Sequence, residues 1–299
     1  MKNGGFIDLH THSTASDGKF SPSELVSAAA KAGLSVLALT DQDTIDGLAE
    51  AAEASKKAGI CFIPGVEMEI EWRSFEDFWA GGEFHLLALG LDKPSPDFLQ
   101  EMAKLKEMRR VRNVQIIEKM KALGWNADYH ELVRIAGCTS IGRPHLADYL
   151  VRLKIVRTVE QAFERYLGKG KGLYIPKGGT DFAYALRIVK ESGALAVLAH
   201  PTSLQVSWGK LPALLSRLKN AGLDGIEAWH PVASAHTCTR LQALGQELGL
   251  YITAGSDFHG ENRRGRFLGR TAGGGKIPIS FLEAIPKLYK MNVAAPPCP

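Results

Sequence analysis

The chain has no apolar run near the roughly 20 residues that a membrane-spanning helix requires. Its first residues, MKNGGFIDLHTHS, contain no apolar core of a signal peptide, so secretion is not expected. Cysteine is scarce. Cys61, Cys138, Cys238 and Cys298 are scattered without close pairing, which argues against a disulfide framework and fits free thiols in a reducing cytoplasm, the expected location. Charge of one sign is also scarce: a net +4 is too mild to argue by itself for nucleic acid or membrane. There is no G-x-S-x-G, and a serine or cysteine nucleophile is not indicated. No internal repeat or low-complexity segment stands out. The tail AAPPCP reads as disordered.

What is present is ordinary for a globular protein: 45% apolar and 23% charged residues over 299 positions, room for one large α/β domain or two smaller ones. The 31 glycines suggest many tight strand-to-helix turns. GFIDLH reads as a strand. SPSELVSAAAKAG reads as a helix, with Ser21 as cap, Pro22 in the first turn and Glu24 completing a capping box. LSVLALT is a nearly continuous apolar strand, the pattern of burial on both faces. A helix over DGLAEAAEASKKAG and strands at ICFIPGVEMEI and FHLLALGL follow. This alternation argues for parallel strands. It breaks at DKPSPDF. A long basic helix reads from Pro96 to about Leu123, and residues 98 to 178 read as a mostly helical insertion. The alternation then resumes with strands ALAVLAH, GIEAWH and LYITAGSDFH.

Chemistry concentrates at the strand ends. His10 and His12 close the first strand, His85 lies in a later one, and His200, His230 and His259 sit at or just after three others. Asp17, Asp41, Glu67 and Asp257 occupy equivalent places. Strand C-termini of a barrel converge on one face, where catalytic groups gather. One histidine there is unremarkable. Several, with acids, would repel and lose hydration unless a cation held them. HTH puts His10 and His12 on one face of a strand, suitable for one metal ion, and GSDFHG repeats the spacing with Asp257 and His259. Mixed imidazole and carboxylate donors suit Zn, Fe or Mn.

DLHTHSTASDG, LALTDQDT, IPGVE, LAHP and GSDFHG occur in the order found in the PHP superfamily, named for polymerase and histidinol phosphatase, which the chain resembles. The resemblance implies a metal-dependent phosphoesterase on a distorted (β/α)7 TIM-like barrel, an α/β fold. The barrel domain would comprise residues 1–97 and 179–299, with 98–178 as a helical lid. The spacing is most similar to the branch containing nucleoside 3′,5′-bisphosphate phosphatase and a 5′-to-3′ exoribonuclease. A first ion would be held by His10, His12, Glu67 and Asp257. A second would share Glu67 and add His85 and His200. A third would use Asp17, His259 and residue 42. Metals held this way would lower the pKa of a water whose hydroxide attacks phosphorus, with Asp257 and Glu67 as catalytic residues beside His230, which is chosen because it ends a strand.

Residue 42 departs from the pattern. The family has histidine there, and this chain has Gln42. Its neutral carbonyl binds a transition metal more weakly than imidazole, so the third site is expected to be weak, vacant or retuned toward a harder ion. Alternatively, Gln42 only holds water or substrate in a two-metal enzyme. Asp41 beside it reads as a hydrogen-bonding group.

Arg143 and His145 in GRPHLADYL are the candidates for gripping substrate phosphate, the alternative being an ordinary helix start with a solvated arginine. His230 is a better candidate than His236 for protonating a leaving oxygen, and His130 reads as surface. The run KLKEMRRVRNVQIIEKMK reads first as a solvated helix face and second as a guide for a polyanion. GKGKG is either a phosphate-facing loop or a flexible turn. The aromatics of EWRSFEDFWAGGEFH either stack on a base or pack on the insertion.

The expected substrate is a small nucleotide phosphate or the 5′ end of short RNA, with two to three divalent ions as cofactors and no membrane or obligate protein partner. The alternatives are a phosphatase for a non-nucleotide monoester such as histidinol phosphate, or a non-catalytic nucleotide-binding module.

Overall fold

The computed structural model describes residues 5–79, 81–138, 140–260 and 265–293. Cys298 and the AAPPCP tail lie outside them. Seven strands, β1 (Phe6–Asp8), β2 (Leu34–Leu39), β3 (Cys61–Glu69), β4 (His85–Leu89), β5 (Leu195–Leu198), β6 (Gly225–Trp229) and β7 (Tyr251–Ala254), pair in sequence order. The sheet curls until its ends meet beyond β1 and β7. There Thr11 bridges Phe258, His12 N–H donates to the Phe258 carbonyl (2.9 Å), and Asp257 N–H donates to the His10 carbonyl (2.9 Å). The residues that close the barrel are thus the strand-end histidines and acids.

Helices α1 (Pro22–Lys31) and α2 (Leu48–Ala58) pack outside β1 to β3. The capping box at Ser21 and Glu24 forms, with Pro22 in the first turn. Leu37 and Leu39 of β2 are fully buried, so truncating either to alanine should cost about 2–5 kcal/mol. The barrel interior is filled by Ile7, Val36, Ile63, Leu87, Val197 and their neighbours.

One strand runs against the sequence expectation. β4 is antiparallel to both β3 and β5, whereas the other pairs are parallel. The cause is local. Parallel neighbours need a crossover, normally helical, but the β3–β4 connection holds only a 3-10 segment at Trp72–Phe78. His85 therefore reaches the barrel mouth from the first residue of its strand, opposite Glu69 in register.

After β4 come α3 (Pro96–Ala122), α4 (Tyr129–Ala136), α5 (Arg143–Arg152) and α6 (Val159–Ala162), the last running into a π-helical turn at Phe163–Leu167. α3 serves two cores. Phe98, Met102 and Leu105 pack with the barrel's outer layer, while Ile116, Ile117 and Met120 join an apolar cluster with Leu132, Leu146 and Leu150. α7 (Phe182–Glu191), α8 (Leu211–Ala221) and α9 (Ala235–Glu247) resume the outer layer. Two short helices not read from the sequence, α10 (Ser280–Glu283) and α11 (Pro286–Val293), add Leu282, Ile285 and Leu288 to the barrel's inner cluster. Among the described residues Cys61, Cys138 and Cys238 form no disulfide. No helix among the described residues is long and apolar enough to cross a membrane.

Candidate metal centre

Glu67 stands at the middle of the mouth. Its Oε1 lies 2.8 Å from His200 Nε2, 2.9 Å from His85 Nδ1 and 3.5 Å from His10 Nε2. Its Oε2 lies 3.5 Å from His12 Nε2 and accepts from Gln42 Nε2 at 3.2 Å. Asp257 Oδ1 is 3.1 Å from His12 Nε2 and 3.6 Å from His10 Nε2. The Nε2 atoms of His10 and His12 are themselves 3.1 Å apart. Three groups have donor atoms close enough to hold an ion: His10, His12 and Asp257; His10, Glu67 and His200; His12, Asp17 and His259.

The donor set fits divalent metal. These side chains are almost wholly buried, and His259 Nε2 makes no hydrogen bond although Asp17 Oδ1 is only 3.2 Å away. Burial alone would depress the His10 imidazole, but Glu227, Asp257 and Glu67 outweigh it and hold its pKa well above the ordinary value. Burial would likewise raise Glu67, yet His85 and His10 hold it well below the carboxylate range. Burial opposes Asp257 ionisation too, and His259, His10 and Arg266 overcome it. A cation supplies the same charge balance without imidazolium protons.

The backbone is strained here. His200, Asp257 and Asp43 have φ of 25°, 49° and 51°, conformations that non-glycine residues adopt at a cost of roughly 1–3 kcal/mol each. His85 is clamped on both nitrogens, with Glu69 Oε2 at 3.0 Å from Nε2 and Lys177 behind Glu69 at 2.6 Å. Asp41 is a hydrogen-bonding group, as its position beside residue 42 suggests. It accepts from Ser13 N–H (2.7 Å), Ser13 Oγ (2.6 Å) and Ser16 Oγ (2.6 Å), and burial pushes its pKa up to about 6.

Gln42 is engaged at both ends. Its Nε2 donates to Glu67, and its Oε1 lies 3.5 Å from Arg109 Nη2. The guanidinium of Arg109 is paired with Asp43. Arg109 and its neighbour Arg112 are buried, so the basic face of α3 is not wholly solvated as expected. Helical spacing shows that the charges cluster, not that the middle of the helix turns them toward the barrel mouth.

A cavity of about 490 Å³ opens over the cluster. Asp17, Gln42, Glu67, His85, His200, His230 and Asp257 line its floor, and Arg109, Arg143, Lys177 and Arg266 add positive charge. Arg143 reaches it from the start of α5, with Nη2 2.6 Å from Glu83 Oε1. His145 does not line it. Its Nδ1 accepts the Gly142 N–H at 3.0 Å, closing the helix start, and burial lowers its pKa. His230 Nδ1 accepts from Val232 N–H (3.3 Å), which leaves the ring proton on Nε2, 3.2 Å from Asp257 Oδ2. His236 and His130 are exposed.

The PHP domain model matches residues 8–175. The chain belongs to the PHP domain family. A 5′-3′ exoribonuclease of Haemophilus influenzae is 35% identical over 252 residues, 84% of this chain and 89% of that protein. A 3′,5′-nucleoside bisphosphate phosphatase of Chromobacterium violaceum is 32% identical over 276 residues, 89% and 91% of the two chains. A Bifidobacterium adolescentis crystal structure, described as a metal-dependent phosphoesterase, superposes with a TM-score of 0.81 at 26% identity and covers 95% and 96% of the two chains.

Four charged residues around this PHP-family centre were not singled out from the sequence. Glu227 of β6 is 1% exposed; its Oε1 is 3.0 Å from His10 Nδ1 and its Oε2 accepts the His200 N–H at 2.8 Å. Gly255 permits this approach, because a Cβ there would sit 2.3 Å from His10 Cβ and 2.5 Å from Glu227 Oε1. Asp8 accepts from Ser256 N–H (3.0 Å), Ser256 Oγ (2.5 Å) and Gly269 N–H (2.7 Å), and burial pushes its pKa up to about 6. Arg266 pairs with the Asp257 carboxylate, and Arg109 with Asp43. A carboxylate inside an apolar strand, as in GFIDLH and GIEAWH, was the available signal for Asp8 and Glu227.

Proposed function

We propose that this protein hydrolyses phosphate monoesters of small nucleotides, such as nucleoside 3′,5′-bisphosphates, or acts on the 5′ end of short RNA. At the coarser level it is a metal-dependent phosphoric ester hydrolase, in keeping with its PHP-family relatives. The observation that carries the reading is the convergence of His10, His12, Glu67, His200 and Asp257 beneath a cavity walled by arginines.

In this reading His10, His12, Glu67 and Asp257 hold one divalent ion, and Glu67, His85 and His200 a second. Asp17, His259 and Gln42 form the weakest position, because the Gln42 amide is a neutral donor already engaged by Glu67 and Arg109. Zn, Mn or Fe suits the donors. Bound ions would acidify a water and stabilise charge developing on the phosphoryl oxygens. Arg143 and Arg266 grip the non-bridging oxygens, Arg143 through the bidentate fork that suits phosphate. His145 supports Arg143 by closing the same helix start. Burial lowers the His230 pKa, so the ring offers its Nε2–H at the cavity floor beside Asp257 as a hydrogen-bond donor to the leaving oxygen, which takes its proton from water. The helical insertion of residues 98–178 acts as a lid that carries Arg109 and Arg143 over the barrel of residues 1–97 and 179–299. No membrane or obligate protein partner is required.

A substrate panel tests this. Metal-loaded protein should release phosphate from a nucleoside 3′,5′-bisphosphate, or nucleotides from 5′-phosphorylated short RNA, with higher kcat/KM than from histidinol phosphate or sugar phosphates. Comparable rates on the non-nucleotide esters would defeat the nucleotide assignment.

A further inference from the structure

The five aromatics between β3 and β4, Trp72, Phe75, Phe78, Trp79 and Phe84, divide by burial. Phe75 is 4% exposed and packs edge-on against Phe84 and Phe182, with centroids 6.0 and 5.3 Å away. The Trp72 ring lies 5.2 Å from Phe84 and its Nε1–H donates to the Gly82 carbonyl, while Phe78 joins the same cluster. Trp79 differs from them. It is 52% exposed, with Lys169 Nζ 4.4 Å from the centre of its ring. Lys169 belongs to the GKGKG turn, so the two segments whose roles the sequence left open meet at one place.

That place is a groove of about 930 Å³, lined by Trp72, Trp79, Lys169 and Tyr174. It adjoins the cavity over the metal centre, and Arg143, Lys177, Ser203 and Gln205 line both. The connection is built into the fold. A Cβ on Gly82 would sit 2.1 Å from the Ser203 carbonyl, so glycine lets the Trp79 segment lie directly on the turn that follows His200. The groove is close to electroneutral. Glu69 pairs with Lys177 at 2.6 Å, Glu83 with Arg143 at 2.6 Å and Glu71 with Arg73 at 3.7 Å, which leaves Glu76 and Lys169 as the remaining charges. A polyanion would call for excess positive charge. An uncharged flat group needs only an aromatic face and a cation above it.

We propose that this groove is a nucleobase subsite: the base of a mononucleotide stacks on Trp79 beside Lys169, while its ester phosphate lies in the adjoining cavity. The proposal rests on the nucleotide reading of the metal centre.

The test compares metal-loaded wild type, Trp79→Ala and Trp79→Phe on a nucleoside 3′,5′-bisphosphate and on ribose 5-phosphate, which lacks a base. Base–aromatic stacking corresponds to about 5-fold to 100-fold in binding. Trp79→Ala should lower kcat/KM for the nucleotide, through KM, by that factor beyond any loss on ribose 5-phosphate, and Trp79→Phe should recover most of it. Equal losses on both esters, or no loss on the nucleotide, would overturn the subsite. A second readout is independent of turnover: adenosine 5′-monophosphate should quench the tryptophan fluorescence of the metal-free wild type, and Trp79→Phe should remove that quench. A Trp79-dependent quench in a protein that hydrolyses no nucleotide would refute the functional reading and keep the subsite. Nucleotide hydrolysis with no such quench would do the reverse.

Discussion

Glu227→Gln should weaken metal binding without touching a proposed ligand. The carboxylate has two duties: Oε1 faces His10 Nδ1 at 3.0 Å, and Oε2 accepts the His200 N–H at 2.8 Å. Glutamine keeps the volume but has one acceptor oxygen. If that oxygen serves His200, the amide N–H₂ faces His10 Nδ1 and favours the ring form with its proton on Nε2, the atom that points at Glu67, His12 and Asp257. If it serves His10, a backbone N–H is left buried against a donor. Losing a buried hydrogen bond to a charged acceptor costs roughly 1.5–3 kcal/mol. Removing the outer partner of a metal-bound histidine lowers affinity about 10- to 100-fold. Competition against a chelator, read by metal analysis of the purified chain, measures that affinity directly. A variant within about twofold of wild type would refute the claim that Glu227 orients His10.

Other outcomes follow from the same geometry. Gln42→His replaces a neutral oxygen with an imidazole at the weakest position, so metal content should rise from two ions per chain to three; an unchanged count would contradict the assignment of residue 42. Asp257→Asn should reduce turnover by more than about 100-fold, beyond the effect of an outer-partner change, while circular dichroism stays native; near-normal rates would remove Asp257 from the centre. In the metal-free protein Asp8 and Asp41 should each contribute more stability as pH falls from 7.5 to 5.5, against the opposite drift of His145, His230 and His259, whose pKa values burial lowers. Asp8 and Asp41 titrate near 6 when folded against 3.8 ordinarily, so the folded chain takes up the extra protons and each aspartate returns roughly 1 kcal/mol over that range. The raised pKa of His10 acts in the same direction, because its stabilisation is lost as pH rises through the folded value. In chelator, the urea-midpoint advantage of wild type over Asp8→Asn should grow on acidification; a pH-independent difference would contradict this.

The gathering of His10, His12, Glu67, His200 and Asp257 was legible because short apolar runs that repeatedly end in histidine or an acid would be unstable at a barrel mouth without a cation. The capping box of α1 was legible because it is local. The direction of β4 was not, since an apolar strand reads alike in both directions and only the lack of a crossover helix decides it. Asp8 and Glu227 stand within apolar strands, where alternation says which face a side chain takes but not what waits there. Arg109 escaped for a related reason: a helix rich in arginine and lysine gives no sign of which turn meets the barrel. The C-terminal helices α10 and α11 are short, and their few apolar residues gain meaning only against the open end of the barrel that they fill.

Metal dependence tests the central claim most directly. Phosphate release from a nucleoside 3′,5′-bisphosphate should be followed before and after exhaustive chelation, then after adding back Mn or Zn, with bound metal counted at each stage. Activity that disappears with the metal and returns as about two ions rebind is the predicted result. Stripped protein that turns over as fast as loaded protein, or loaded protein that retains no metal, would contradict the account.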